Sequence, residues 1–230
     1  MSNDKSNIIE NKPLRERIAD LLRESILTAE LKPGQTMVES SLADQFGVSR
    51  APLREALQIL NAEGLIELIP YHKTMVRRLT RNDIEELYSL RSTLEAFAIK
   101  RIIENVSPID LEALDVCCAK MVDAAIANDP QLVSVFDHQF HDTLITLSNH
   151  NLLISTWNTV SQRVHQVLAL RDMRRKDIEV MARSHIPIID AIRSYDLPLA
   201  THLIEVHIAT ASDLIVDIWD EETYGNLQED

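Results

Sequence analysis

Apolar residues near the start of the chain recur with the 3.6-residue period of a helix. From residue 14 to residue 29 they lie on one face of such a helix. The run Leu-Lys-Pro-Gly at residues 31–34 interrupts the pattern and ends the predicted helix. The residues on the predicted face are Leu14, Ile18, Leu21, Leu22, Ser25, Ile26 and Ala29.

Two shorter helices are predicted next, with a glycine between them. Ser40 or Ser41 can cap a helix that continues through residue 46. Gly47 permits the left-handed turn after it, and Ser49 can cap a third helix that ends near residue 63. Two helices joined by a short turn with glycine are typical of a helix-turn-helix. The residues that would close its core are Leu42, Ala43, Phe46, Val48, Leu53, Ala56, Leu57 and Leu60.

After Gly64 the pattern changes to two short apolar stretches. They cover residues 65–69 and 74–79, and the segment Pro-Tyr-His-Lys at residues 70–73 separates them. Short apolar runs around a turn segment predict a two-stranded hairpin, which would form a wing beside the helix-turn-helix. We therefore predict a winged helix-turn-helix domain over residues 1–79.

From residue 81 onwards, successive amphipathic patterns predict helices. Proline, asparagine and aspartate mark the breaks between them. The predicted helices cover approximately residues 81–105, 109–127, 131–148, 151–171, 175–194 and 198–219. Six helices in a segment of this length predict an all-α helical bundle over residues 80–230. The expected fold class is mostly α.

The amino-acid composition agrees with a helical protein and indicates the compartment in which it acts. Four glycines and 4% aromatic residues argue against sandwiches and barrels. The start of the chain has no apolar segment of a signal peptide, and no apolar run approaches the roughly 20 residues that span a bilayer. Cys117 and Cys118 are adjacent, which suits neither an ordinary disulfide nor a metal site. We expect a cytoplasmic protein with no membrane partner.

The charge of the chain is unevenly distributed. Residues 1–79 hold 11 basic and 11 acidic side chains, whereas residues 80–230 hold 12 and 25, which accounts for the net charge of -13. Phosphate would repel the second part. Any nucleic-acid surface must therefore be a local basic patch on the first part.

The start of the third predicted helix carries side chains that can bind DNA. In a helix-turn-helix the second helix enters the major groove N-terminus first, which presents Ser49, Arg50 and Arg54. The two arginines share a face at i and i+4, and a guanidinium can bind two acceptors of a guanine edge or a phosphate. The alternative for Arg54 is a salt bridge with Glu55 or Glu63 on a solvated helix.

These residues carry a family resemblance. The motif with Leu-Ala at 42–43, Gly-Val-Ser-Arg at 47–50, Pro-Leu-Arg-Glu-Ala-Leu at 52–57 and Glu-Gly-Leu at 63–65 resembles the winged helix of the GntR family of bacterial transcription regulators. The resemblance implies that Arg50 and Arg54 contact the operator and that the wing tip reaches the minor groove. His72 and Lys73 would contact phosphate there, with Lys73 near the place of the family's usual glycine. Ser40 stands where some relatives have a further DNA-binding arginine.

Four side chains of the predicted bundle have metal-ligating chemistry. Asp137 and His141 are at i and i+4, so they project into the same space. His185 and His207 lie on the last two predicted helices among apolar neighbours and should face inward. One carboxylate and three imidazoles can bind a divalent transition metal and leave a position for water or a ligand oxygen. The alternative for each histidine is a hydrogen-bonded place in the core.

A second resemblance concerns the same side chains. Residues 136–141 and 185–192, with His207, are similar to the FCD ligand-binding domain of the FadR subfamily, and six helices would place the chain with the VanR-like members. The resemblance implies that the aspartate and the three histidines hold zinc, nickel or another divalent ion, to which a small carboxylate effector coordinates. Arg91 would help to bind that effector. The alternative for Arg91 is an i,i+4 pair with Glu95.

The favoured hypothesis is a homodimeric transcription regulator that binds operator DNA and responds to a small organic acid. The alternative from another class is a metal-dependent enzyme with a winged-helix interaction module. The sequence has no Glu-x-x-His pairs of a di-metal bundle enzyme, no nucleophile motif and no glycine-rich phosphate loop, so we predict that it is not an enzyme. A further alternative keeps the regulator and makes the metal purely structural.

Overall fold

The computed structural model describes residues 12–69, 73–105, 111–169 and 177–216. The chain divides into two compact units, with the boundary between Thr80 and Arg81. The first unit contains α1 (Leu14–Leu27), β1 (Thr36–Met37), α2 (Glu39–Phe46), α3 (Arg50–Ala62), β2 (Ile66–Ile69) and β3 (Lys73–Val76). The second contains α4 (Arg81–Glu104), α5 (Glu112–Ile126), α6 (Pro130–Leu147), α7 (Asn151–Ala169), α8 (Asp177–Arg183), α9 (Ile186–Arg193) and α10 (Leu197–Val216).

The first helix buries a narrower face than the periodicity predicts. Its buried side chains are Ile18, Ala19, Leu22 and Ile26, and the helix packs against α3. Leu14 and Leu21 were expected on that face, but they are 47% and 52% exposed. Ile18, Leu22 and Ile26 make the contact with α3, because residues four positions apart lie along one side of a helix. The helix also ends at Leu27, two residues earlier than predicted.

The helix-turn-helix has the predicted layout but not the predicted cap of its first helix. Helix α2 begins at Glu39 after Val38, so Ser40 and Ser41 lie inside its first turn and the capping prediction is wrong. Gly47 adopts the predicted left-handed conformation, with φ at 63°. Ser49 directly precedes α3 as predicted, although its hydroxyl makes no capping hydrogen bond within the described residues.

The core of this unit closes as the sequence predicts. Leu53, Ala56, Leu57 and Leu60 of α3 are fully buried. They meet the buried face of α1 and the buried Ala43 of α2 in one apolar cluster, against which Leu42, Phe46 and Val48 pack. Short helices of this kind gain most of their stability from such packing and little from helix propensity alone.

The wing belongs to a three-stranded antiparallel sheet with strand order β1-β3-β2. Strand β1 was not predicted, because two residues give no periodic signal; it pairs Thr36 with Met75. Strand β3 begins at Lys73, so Lys73 pairs with Ile69 across the hairpin instead of lying in the turn, and the strand ends at Val76. The predicted phosphate contact His72 lies outside the described residues.

The second unit differs from the prediction at one helix. The expected helix over residues 175–194 is two helices, α8 and α9, separated at Ser184 and His185, so the described residues form seven helical segments and the count of six is wrong. Pro187 explains the break. Proline has no N–H to donate to the carbonyl four residues earlier, so a helix starts near it instead of passing through it. The VanR-like assignment was drawn from six helices and therefore loses its basis.

The last described helix is more apolar than the sequence analysis allowed. Helix α10 is long and apolar enough, by length and composition, to cross a membrane, with a mean hydropathy of 1.3. Its buried side chains Ala200, Ile204, Ile208, Ala211 and Ile215 follow the spacing of one face, and the helix packs along α4. A core helix of a bundle meets the same criterion, so this is weak support for a membrane span.

Adjacent leucines of α1 test the burial pattern. Leu22→Ala should lower the free energy of unfolding of the first unit by about 2–5 kcal/mol, because it leaves a cavity against α3. Leu21→Ala, one residue away and half exposed, should change it by less than about 0.5 kcal/mol. Calorimetry of the full chain would measure both, and equal losses would contradict the narrow buried face.

Candidate metal centre and nucleic-acid interface

Four side chains from three parts of the bundle meet in its interior. Asp137 and His141 lie one turn apart on α6, His185 precedes α9, and His207 lies on α10. One ligand atom from each can be chosen so that all four lie within 4.8 Å of one another. The sequence analysis named this set, and the structure brings its four members together.

Local structure explains how each side chain reaches this place. Helix α6 starts at Pro130 after Asp129, whose carboxylate accepts a hydrogen bond from the amide of Leu132. The i,i+4 spacing then puts Asp137 and His141 on the buried side of α6. The break before Pro187 sets His185 at the start of α9, where its side chain is fully buried.

The three imidazoles are oriented in the same way. His141 Nδ1 lies 2.5 Å from Glu95 Oε2, and His207 Nδ1 lies 2.9 Å from the hydroxyl of Ser184. His185 Nδ1 lies 3.0 Å from the carbonyl oxygen of Met181. Partners of this kind on one ring nitrogen fix the tautomer and leave the other nitrogen for a ligand bond.

The second ring nitrogen, Nε2, makes no hydrogen bond in two of these histidines. The Nε2 atoms of His141 and His185 are buried and have no hydrogen-bond partner among the described residues. They lie 3.9 and 3.3 Å from Oδ1 of Asp137. Buried polar atoms are nearly always satisfied, so two such atoms beside a buried carboxylate suit a bound cation.

The pKa shifts of Asp137, His141 and His207 favour the protonation states that bind metal. Burial lowers the pKa of His141, with a further contribution from Arg91, and it lowers the pKa of His207 well below the usual range. Burial raises the pKa of Asp137, but His185, His141 and Arg91 outweigh it, so the net pKa lies far below the ordinary value. Neutral imidazoles and an ionised carboxylate are the forms that bind metal.

Arg91 and Glu95 form a buried pair next to this cluster. Arg91 Nε donates to Glu95 Oε1 at 2.7 Å, and the two residues are 2% and 0% exposed. Burial by itself would raise the pKa of Glu95. His141 and Arg91 lower this pKa by more than burial raises it, so Glu95 stays ionised. This ion pair is the alternative that the sequence analysis gave for Arg91. The role of Arg91 in binding an effector stays a prediction. The sequence analysis gave Glu95 no part in orienting His141, because only the fold brings α4 and α6 together.

The other histidines of the second unit lie outside the cluster. His138 stacks on His165 with ring centroids 4.8 Å apart and pairs with Asp142 at 3.3 Å. Burial and the neighbouring His138 lower the pKa of His165 to about 4. His150 contacts Phe97 edge to face, and His202 is exposed. Asp137 and His138 are adjacent on α6, but they face different sides of the helix, and only Asp137 belongs to the cluster.

The start of α3 presents its two arginines to solvent. Arg50 is exposed, and the Arg54 side chain is 62% exposed. Arg54 Nε donates to Glu39 Oε2 of α2 at 2.8 Å, which leaves its two terminal nitrogens outside this bond. A fork of two such donors is the group that reads a guanine edge.

The expected alternative partners of Arg54 are engaged with α1 instead. Glu55 pairs with Arg15 at 3.2 Å, and Glu63 pairs with Arg23 at 2.6 Å. Arg54 is nevertheless in a salt bridge, with a residue that the sequence analysis did not consider. Both glutamates therefore link α3 to α1 and are not bonded to Arg54.

Comparisons with known proteins agree on the family. Residues 14–76 match the pattern of "Bacterial regulatory proteins, gntR family", and residues 86–210 match the FCD domain. The chain is 30% identical over 195 residues to the probable D-xylose utilization operon transcriptional repressor of Paenarthrobacter nicotinovorans, covering 84% of each protein. It is 28% identical over 212 residues to the gluconate operon transcriptional repressor of Bacillus subtilis, covering 88% of this chain and 85% of that one.

Solved structures share the fold. A putative transcriptional regulator GntR from Rhodococcus sp. RHA1 has a TM-score of 0.76 at 24% identity, over 90% of this chain and 99% of that one. McbR/YncC of E. coli has a TM-score of 0.77 at 20% identity, over 91% of this chain and 100% of that one. With a winged helix-turn-helix followed by an FCD domain, the chain belongs to the GntR family of bacterial transcription regulators and is a regulator, not an enzyme.

Proposed function

We propose that this regulator binds operator DNA through the start of α3 and that a small carboxylate effector, bound at a divalent metal in the second unit, controls its affinity for that DNA. The single observation that carries the proposal is the convergence of Asp137, His141, His185 and His207. The protein would act in the cytoplasm as a homodimer, since twofold symmetry gives a helix-turn-helix protein its half-site spacing.

The donor set supports a transition metal. Three imidazole nitrogens and one carboxylate oxygen suit zinc or nickel, whereas calcium and magnesium prefer oxygen ligands. The hydrogen bonds to each Nδ1 match the outer contacts that metal-ligating histidines make in proteins. Glu95, Ser184 and the carbonyl of Met181 would hold the rings, and Asp137 would supply the negative ligand.

The charges around the cluster support an anionic effector. Glu95 and Arg91 compensate each other as a buried pair, so a divalent ion bound by Asp137 would retain one net positive charge. A buried net charge is costly unless a counterion approaches it. An organic carboxylate that coordinates the ion would provide that counterion, with Arg91 as a hydrogen-bond donor to it on the α4 side.

Exposed arginines on α3 support the DNA part of the proposal. Arg50→Ala or Arg54→Ala should weaken binding to a duplex that the wild-type protein selects from a random-sequence pool by about 1–3 kcal/mol each. The melting temperature should stay nearly unchanged, because exposed salt bridges contribute little to stability. Fluorescence anisotropy at one fixed salt concentration would measure the affinity, since phosphate contacts depend on salt.

Arg193→Ala is the matched control for this pair of variants. It removes the same charge from an exposed position on α9 of the second unit, where Arg193 pairs with Asp115 and Asp190. Its DNA affinity should equal that of the wild type. Unfolding of the Arg54→Ala variant, or equal loss of affinity in the control, would show that the arginines act through structure or net charge.

The metal part is tested by elemental analysis of zinc-loaded protein. His185→Ala and the less buried His207→Ala should each lose bound metal, because each removes one of four ligands. His138→Ala removes a histidine next to Asp137 that lies outside the cluster, so it should keep the metal of the wild type. Equal metal content in all three variants would contradict the assigned site.

A purely structural metal gives a different result in the same proteins. Chelation of the metal lowers the melting temperature of the second unit in either case, but with a purely structural metal carboxylates would leave the DNA affinity of the zinc-loaded wild type unchanged. Effector control predicts that a bound carboxylate changes the DNA affinity of the zinc-loaded protein and has less effect on His185→Ala.

A further inference from the structure

The helix-turn-helix carries little unpaired positive charge. Its two helices, over residues 39–62, hold three acidic and two basic side chains. Arg54 pairs with Glu39 across the turn, and Glu55 pairs with α1. Arg50 has no carboxylate partner in the part of the chain that the structure describes. A surface of this kind attracts phosphate weakly, so specific DNA binding depends on well-placed contacts more than on total charge.

Glu39 occupies one particular side of the Arg54 guanidinium. Arg54 Nε donates to Glu39 Oε2 at 2.8 Å. A guanidinium can form a two-point fork at its side, through Nε and one terminal nitrogen, or at its end, through both terminal nitrogens. Because Glu39 holds Nε, the end fork is the one left for DNA.

The same carboxylate makes a phosphate an unfavourable partner for Arg54. Glu39 is the first residue of α2, and its side chain is 33% exposed, so its charge is close to any group that approaches Arg54 from solvent. A phosphate bound by Arg54 would bring two anions together, whereas a guanine edge offers neutral acceptors. The ion pair therefore favours a base contact over a phosphate contact at Arg54.

We propose that Glu39 is a positioning residue for sequence recognition, which holds the end fork of Arg54 towards a guanine edge and opposes its contact with phosphate. The inference rests on the proposed function, because it assumes that the start of α3 meets DNA. A fork that is held in place loses less rotamer freedom on binding than a free side chain does. The quantity that reports this role is the discrimination ratio, which is the affinity for the duplex that the wild type selects divided by the affinity for a scrambled duplex.

Three variants of the full chain separate position from charge. Glu39→Ala should lower the discrimination ratio by about five- to tenfold, because Arg54 loses its fixed orientation. Glu39→Gln keeps an acceptor for Nε without the charge, so its ratio should stay within about threefold of the wild type. Asp44→Ala is the matched control, since it removes an exposed acidic side chain of the same helix and should leave the ratio unchanged. Equal losses in Glu39→Ala and Glu39→Gln would overturn the inference.

A double-mutant cycle tests whether Glu39 acts through Arg54. Glu39 also lies in the first turn of α2, where an acidic side chain can stabilise the helix by itself. Such a role would lower the ratio by the same factor with and without Arg54. A positioning role predicts that Glu39→Ala has no further effect on the ratio in the Arg54→Ala background. The same factor in both backgrounds, or unfolding of Glu39→Ala on heating at a much lower temperature, would show a structural role and overturn the inference.

The base that Arg54 reads gives an independent readout. Guanines of the selected duplex are replaced one at a time by 7-deazaguanine, which lacks the N7 acceptor. The wild type should lose about fivefold in affinity at the guanine that Arg54 reads. Both Arg54→Ala and Glu39→Ala should be insensitive at that guanine and stay sensitive at any guanine that Arg50 reads. If Glu39→Ala were as sensitive as the wild type at every guanine, Glu39 would not position Arg54.

The remaining outcomes separate this inference from the proposed function. A lower ratio in Arg54→Ala, together with unchanged ratios in both Glu39 variants, would leave the proposed DNA contact standing and refute the role of Glu39. An unchanged ratio in Arg54→Ala would refute both, because Glu39 would then have no base contact to position.

Discussion

The second unit is organised around one buried carboxylate among three imidazoles. Burying Asp137 is expensive unless cationic or hydrogen-bonding groups compensate its charge, and the Nε2 atoms of His141 and His185 beside it make no hydrogen bond among the described residues. A divalent cation would satisfy both requirements at once. Because the ligands come from α6, from the residue before α9 and from α10, the same ion would also link these helices.

The outer contacts of the cluster extend this constraint to further residues. Glu95 is fully buried yet ionised, since Arg91 and His141 lie on its two oxygens. Ser184, the hydrogen-bond partner of His207, and His185 both lie in the short break between α8 and α9, and the carbonyl of Met181 in the last turn of α8 is the partner of His185. One local backbone feature therefore positions two ligands.

The first unit presents positive charge at the start of α3, although residues 1–79 carry no net charge. The glutamates near Arg54 do not cancel it, because Glu55 and Glu63 bind α1 instead. Glu39 holds only Nε of Arg54 and so orients the guanidinium with its terminal nitrogens outward. Residues 1–79 carry no net charge, and the net charge of -13 comes entirely from residues 80–230.

Much of this architecture could be predicted from the sequence, because it depends on local patterns. Gly47, the core leucines of α3 and the i,i+4 pair Asp137 and His141 follow from backbone preference and helical period. Two-residue β1, the exposure of Leu21 and the partners of Arg54 and His141 do not, since they depend on which helices pack together. The sequence by itself determined most of the helices, the split of charge and the identity of the candidate ligands. Only the tertiary structure decided that the Nε2 atoms of His141 and His185 face Asp137 and which groups hold the Nδ1 atoms of the three histidines, because distant segments set those contacts.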